Sequence, residues 1–121
     1  MIQQKIGKFS EEVITVLNIS ITPGTPIYIS ASNLTHMAKS HPADYLKYGK
    51  DIPDIISMPD YVGINPSDGS IEYVREYQKG TEFVKVAVRI SMGGNYYVRS
   101  IYRLEDNRTK NYIAKGTLKK I

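Results

Sequence analysis

The chain has 121 residues, of which 41% are hydrophobic and 23% charged, with no cysteine. That balance is one of an ordinary soluble globular domain with its own core, and it excludes disulfides and thiol catalysis. No apolar run approaches a bilayer span, and the lysine-bearing start from Met1 to Lys8 has neither an apolar core nor a small-residue cleavage site, so a cytoplasmic protein with no membrane partner is expected.

The net charge of +4 is unevenly placed. Residues 1–39 carry +1, residues 40–78 carry −4 and residues 79–121 carry +7. A basic C-terminal third suits a polyanion such as a phosphate backbone, and equally a solvated lysine-rich face.

In chain order, Val13 to Ile21 alternates apolar residues and reads as a strand, buried on both sides near its start. Thr22 to Pro26 is a turn, and Ile27 to Ser30 a short strand. Ser32 or Asn33 can cap a helix beginning at Leu34, with Leu34, Met37 and Ala38 on its buried stripe. His36 lies about 200° from Leu34 around that helix and points outward. His41 precedes Pro42, and a residue before proline is pushed out of helical geometry, so the helix ends near Ser40. These are the only two histidines, and their spacing across a helix end is not that of a zinc pair; no metal or other cofactor is expected.

Pro42 opens a short helix that stops at Gly49, and Pro53 starts another, which Pro59 closes. Tyr61 to Ile64 reads as extended, Asn65 to Ser70 as a turn, and Ile71 to Tyr77 as a strand. Phe83 to Ile90 and Asn95 to Leu104 are β-rich runs joined through Gly93-Gly94, a strong hairpin signal because such turns need positive φ. Thr109 to Ile121 has helical spacing. A short β element, a helical middle and then antiparallel strands make an α+β domain over residues 1–121.

A turn centred on Gly93-Gly94 sets Lys85 opposite Tyr102, Ala87 opposite Ser100 and Arg89 opposite Val98. Lys85, Arg89, Ser100 and Tyr102 then form an open polar patch around Ala87. Val84, Val86, Val88, Ile90, Tyr97 and Ile101 make the core side, where Arg99 and Arg103 must reach past the rim. A one-residue slip would reverse the assignment.

Such a patch has the parts for RNA cleavage without a metal. Attack of a ribose 2′-hydroxyl on its phosphate needs a base, an acid and cations for the developing charge. Histidine suits the acid and base, lysine and arginine the phosphate, and tyrosine or serine can donate to its oxygens. The tyrosines beside basic residues can stack exposed bases, or simply fill the core.

Tyr28-Ile29, Leu34 to Pro42, Pro59 to Gly63, Ser70 to Glu72 and Tyr97 to Tyr102 stand in the order and spacing of a known family. From about residue 27 to 121 the chain resembles the phage-associated PBECR nuclease-like domains, named for barnase, EndoU, the colicin tRNases and RelE. The resemblance implies short N-terminal helices packed on a four-stranded antiparallel sheet. It also implies a metal-independent endoribonuclease acting on RNA, tRNA included, in a phage, mobile-element or toxin setting. The family's two histidines match His36 and His41, and its arginine-serine strand matches Arg99 and Ser100; Lys85 and Arg89 occupy the preceding basic strand. His36 is then the first choice for base or acid, His41 its complement or orienter, and Lys85, Arg89 and Arg99 the phosphate ligands, with Ser100 and Tyr102 positioning or donating. Residues 1–26 fall outside the resemblance as an N-terminal extension strand. An acidic antidote protein or a head-morphogenesis protein is the implied protein partner. Two other readings keep the fold without the chemistry: a silent nucleic-acid-binding module, and a phage structural or docking protein.

Overall fold

In the computed structural model, which describes residues 3–121, the chain starts with a strand, β1 (Gln3–Lys8), paired antiparallel with β2 (Pro26–Ser30). The N-terminal extension expected over residues 1–26 is thus described from residue 3 onward.

The strand expected over Val13 to Ile21 is instead a helix, α1 (Glu11–Leu17). Its β-branched run favours a strand locally, but three features outweigh that preference. The Ser10 hydroxyl accepts the Val13 amide at 3.1 Å, Glu11 and Glu12 face the positive helix start, and Val13 and Leu17 bury one stripe. Asn18 closes the helix in the left-handed region at φ 53°.

Ser30 ends β2 and caps α2 (Ala31–Ser40), three residues earlier than the helix start expected. Asn33 returns the favour: its amide donates to the Ser30 hydroxyl at 3.2 Å, and its side-chain oxygen accepts the Ser30 amide at 3.1 Å. Of the expected stripe only Met37 is buried; Leu34 and Ala38 are exposed, because α2 rests on the sheet along one narrow line. Next come α3 (Pro42–Tyr48), a 3-10 turn (Gly49–Asp51) and α4 (Ile52–Ser57), whose Ile52, Ile55 and Ile56 are buried.

The strands that follow are β3 (Tyr61–Ile64), β4 (Ile71–Gln78), β5 (Glu82–Ile90) and β6 (Tyr96–Leu104). They form an antiparallel meander, yet the four-stranded sheet implied by the resemblance is too small. Among the described residues the sheet has seven strands, the last in sequence being β7 (Leu118–Lys120), in the order β1-β2-β6-β5-β4-β3-β7. β2 runs parallel to β6, and β7 pairs with β3, so neither end of the meander keeps an unpaired edge. The C-terminal helix is correspondingly shorter than expected, α5 (Asp106–Ala114). Gly63 admits β7: a Cβ there would collide with the Thr117 carbonyl.

Val84, Val86, Val88, Val98 and Ile101 give one face of the sheet to the main core, against α1, α2 and α4. On the other face, a smaller cluster of Val74, Phe83, Leu104 and Leu118 lies with Ile113 of α5. The rest of that second face is polar. No helix among the described residues is long and apolar enough to cross a membrane.

The β5–β6 hairpin keeps the expected pairs Lys85–Tyr102 and Ala87–Ser100, then slips. Val88 pairs with Val98 and Arg89 with Tyr97, so Arg99 is the extra residue of a β-bulge. Val98, expected opposite Arg89, is fully buried, and Tyr97, expected in the core, turns to the polar face. Two hydrophobic residues separated by two others, Val98 and Ile101, can both face the core only if one residue between them is bulged.

Candidate active site

Three neighbouring strands place the polar residues in the face that α5 leaves open. Glu72 of β4 lies opposite Ala87 of β5, which lies opposite Ser100 of β6; Lys85 of β5 lies opposite Tyr102 of β6. Ala87 is small and makes the low point between Glu72 and Ser100.

Lys85 is not the open cation expected from its alternation. Its ammonium donates to the Glu72 carboxylate at 2.9 Å, and the two side chains retain only 11% and 10% of their exposure. The same carboxylate oxygen accepts the Asn65 side-chain amide at 3.3 Å. On its other flank Lys85 sits 4.7 Å from the centroid of the Tyr102 ring. Burial by itself pulls the lysine pKa down, but Tyr102 and Glu72 together outweigh it, so the ammonium is held above its ordinary value and stays charged.

His41 completes the row. Its ring stacks on Tyr102 at 4.7 Å between centroids, with 23° between planes. Its backbone is clamped from both sides: the amide donates to Met37 and the carbonyl accepts from Tyr45. His41 therefore ends α2 and begins α3 at once, with Pro42 as the first residue of the second helix. The imidazole is exposed, and its nitrogens have no hydrogen-bond partner among the described residues. Glu72, Lys85, Tyr102 and His41 thus form one continuous line, with an acceptor, a cation, an aromatic support and a titratable ring in sequence. Beside its Glu72–Lys85 end opens a cavity of about 300 Å³, rimmed by Asn65, Ser67, Tyr112 and Lys115.

The remaining expected site residues lie elsewhere. His36 is exposed on α2, where its Nε2 lies 3.3 Å from the Ser40 hydroxyl, and no contact joins it to the row. Arg89 and Arg99 line a second concavity with Ser32, Asn33 and Tyr97. The bulge turns Arg99 to that surface and away from the apolar face on which simple alternation put it. Arg103, expected only to reach past the rim of the apolar face, is engaged at the α3 edge, with its amide on Asp44 and its guanidinium on the Thr81 carbonyl.

Among the described residues no three His, Asp or Glu side chains gather as metal ligands would. The family model described as phage-Barnase-EndoU-ColicinE5/D-RelE like nuclease3 (PBECR3) matches residues 4–111. The chain belongs to the PBECR3 nuclease family. No curated protein and no solved structure matches it. The PBECR3 match reaches back to β1, takes in the whole Glu72–Lys85–Tyr102–His41 row, and stops inside α5. Membership supports a nuclease in general, an enzyme that cleaves a phosphodiester.

Glu72 is the residue that sequence reasoning passed over. Alternation along β4 does set it on the face of Val74, opposite Tyr73, but only the β4–β5 register brings it to Lys85. That register depends on the turn at Lys79-Gly80, where Gly80 adopts φ 76° and its amide is held by the Glu76 carboxylate at 2.5 Å.

Proposed function

We propose that this PBECR3 member is an endoribonuclease that cleaves RNA by transesterification, with the row from Glu72 to His41 as its catalytic machinery. The observation that carries the reading is the joining of a buried carboxylate–ammonium pair to an exposed histidine through one tyrosine ring. A nuclease of this kind needs an acceptor for the 2′-hydroxyl proton, a donor for the leaving oxygen, and fixed positive charge between them. Glu72, oriented by the Lys85 and Asn65 donors, is the acceptor. The 2′-oxygen attacks phosphorus, the bond to the 5′-oxygen breaks, and His41 in its imidazolium form donates a proton to that oxygen. The products are a 2′,3′-cyclic phosphate and a 5′-hydroxyl. Lys85 lies beside the developing charge on the phosphate, Tyr102 fixes the plane of His41, and Ser100 donates to a phosphate oxygen from the next strand.

This assignment gives His41 the central role and leaves His36 as a surface residue beside α2. Both the family's phage description and the basic C-terminal third support action on RNA inside a bacterial cell, as part of a phage or mobile element. Under this reading an acidic antidote protein would cover the row.

The test uses purified protein with mixed tRNA and messenger RNA in excess EDTA. The expected result is discrete fragments ending in 2′,3′-cyclic phosphate, with rates reduced roughly a hundredfold or more by His41→Ala and by Glu72→Gln. His36→Ala run alongside separates the two histidines. An equal rate in wild type and His41→Ala, or no cleavage by any form, would end this reading in favour of a silent binding or docking module.

A further inference from the structure

Lys85 and Arg89 cannot serve one phosphate in the way that a single basic patch would. Four residues along β5 set their Cα atoms about 13 Å apart, and the Lys85 side chain is committed to Glu72 and Tyr102. Arg89 and Arg99 instead share a concavity of about 240 Å³ with Ser32, Asn33 and Tyr97. Neither arginine has an ion-pair partner among the described residues, and both are exposed. Arg89 acts on the Asp68 carboxylate only through space, and that carboxylate accepts the Ser70 amide at 2.9 Å.

One aromatic ring, Tyr97, lines this concavity, and a second packs behind it. Tyr97 lies opposite Arg89 on one side and Tyr28 on the other, with the two tyrosine rings 5.9 Å apart. The Tyr97 hydroxyl donates to Gln3 at 2.5 Å, which fixes the ring. Lys5 of β1 stands opposite Tyr28 and carries the basic surface one strand further. Paired guanidinium groups beside half-buried tyrosine rings have the chemistry that holds single-stranded nucleic acid: charge for the backbone, a π-face for the base. The bulge at Arg99 and the addition of the paired strands β1 and β2 beside β6 create this arrangement.

We infer that the Arg89–Arg99–Tyr97 concavity is a second nucleotide subsite. It holds a phosphate and base of single-stranded RNA flanking the bond to be cut, and makes the protein prefer an unpaired segment several nucleotides long. The inference rests on the nuclease reading for its substrate, but it is tested by binding alone.

The experiment measures fluorescence anisotropy of a labelled 2′-O-methyl uridine ten-mer, which has no free 2′-hydroxyl to react, with a 2′-O-methyl trimer as competitor. Wild type is expected to bind the ten-mer well above the trimer. Arg89→Gln with Arg99→Gln should weaken ten-mer binding about tenfold or more and flatten the slope of log affinity against log salt by about 0.7 per arginine. Tyr97→Ala should weaken it about five- to a hundredfold, with Tyr97→Phe near wild type. Failure of wild type to bind the ten-mer, or equal affinity and salt slope in the double arginine variant, would overturn the subsite. Arginine-dependent binding without cleavage of natural RNA would uphold the subsite and sink the nuclease reading. Cleavage with arginine-independent affinity would do the reverse.

Discussion

His41 and Tyr102 lie ring on ring, 4.7 Å between centroids and within 23° of parallel, although one ends a helix and the other sits mid-strand. The stack fixes an exposed imidazole without using either of its nitrogens. A ring held in this way keeps both nitrogens for substrate.

Support by stacking rather than by hydroxyl chemistry has a direct consequence. Tyr102→Phe keeps the ring, and should retain cleavage within a few-fold of wild type. Tyr102→Ala frees His41 and removes the face against Lys85. A misplacement of about 1 Å at a reacting group costs on the order of a hundredfold, and a loss of that order is expected in kcat for the alanine variant. Equal loss in both variants would instead assign the work to the hydroxyl.

The Glu72–Lys85 pair bears on stability as well as chemistry. Removing one partner of a buried pair strands the other charge, at a cost of about 3–5 kcal/mol. Denaturant unfolding of Lys85→Met at neutral pH should show a loss of that size, with part of it recovered in Lys85→Met combined with Glu72→Leu. The pH dependence follows from the raised lysine pKa. Its stabilising effect is complete below the ordinary lysine value of 10.5 and is lost as pH rises through the higher folded value. The gap between wild type and Lys85→Met should therefore close only at strongly alkaline pH.

Tyr73 is a polar flaw in the main core. It is fully buried, its hydroxyl finds no partner among the described residues, and burial raises its pKa. An unsatisfied buried group costs about 1–3 kcal/mol. Tyr73→Phe should therefore raise the unfolding midpoint without altering the fold, which thermal denaturation can read directly. A destabilised phenylalanine variant would mean that the hydroxyl has a partner.

Gly63 tests the closure of the sheet. Alanine there would press on the Thr117 carbonyl and the Leu118 side chain, so β7 must shift or separate from β3. Gly63→Ala should cost about 1–3 kcal/mol, as overpacking does, and should speed hydrogen exchange in Lys119 and neighbouring β7 amides before the rest of the sheet. Uniform exchange would show that β7 opens only with global unfolding.

The hairpin, the helix break at His41-Pro42 and the proline-led short helices were legible because each rests on a residue with few conformational choices. Gly94 supplies the positive φ of 89° in the hairpin turn, although the pairs beside it are shifted by one from a turn centred on Gly93-Gly94. Proline limits its own φ and its predecessor's. α1 is not legible in the sequence because Val13 to Val16 favour extended backbone locally, while the Ser10 cap and the buried Val13–Leu17 stripe gain their energy from the helix end and the core. The added strands β1 and β7 are too short for periodicity to distinguish; pairing with β2 and β3 makes them strands.

At the site, composition and strand alternation already specify the residue types: two histidines, no thiol, a basic final third, and Lys85 across from Tyr102. Which of them meet is set by long-range packing. The β4–β5 register delivered Glu72 to Lys85, the bulge parted Arg99 from that pair, and the α2–α3 junction laid His41, rather than His36, on Tyr102. Side-chain alternation follows from local backbone geometry, whereas register, bulges and helix docking are set by the packing of the core between distant segments, where one residue of slip changes every neighbour.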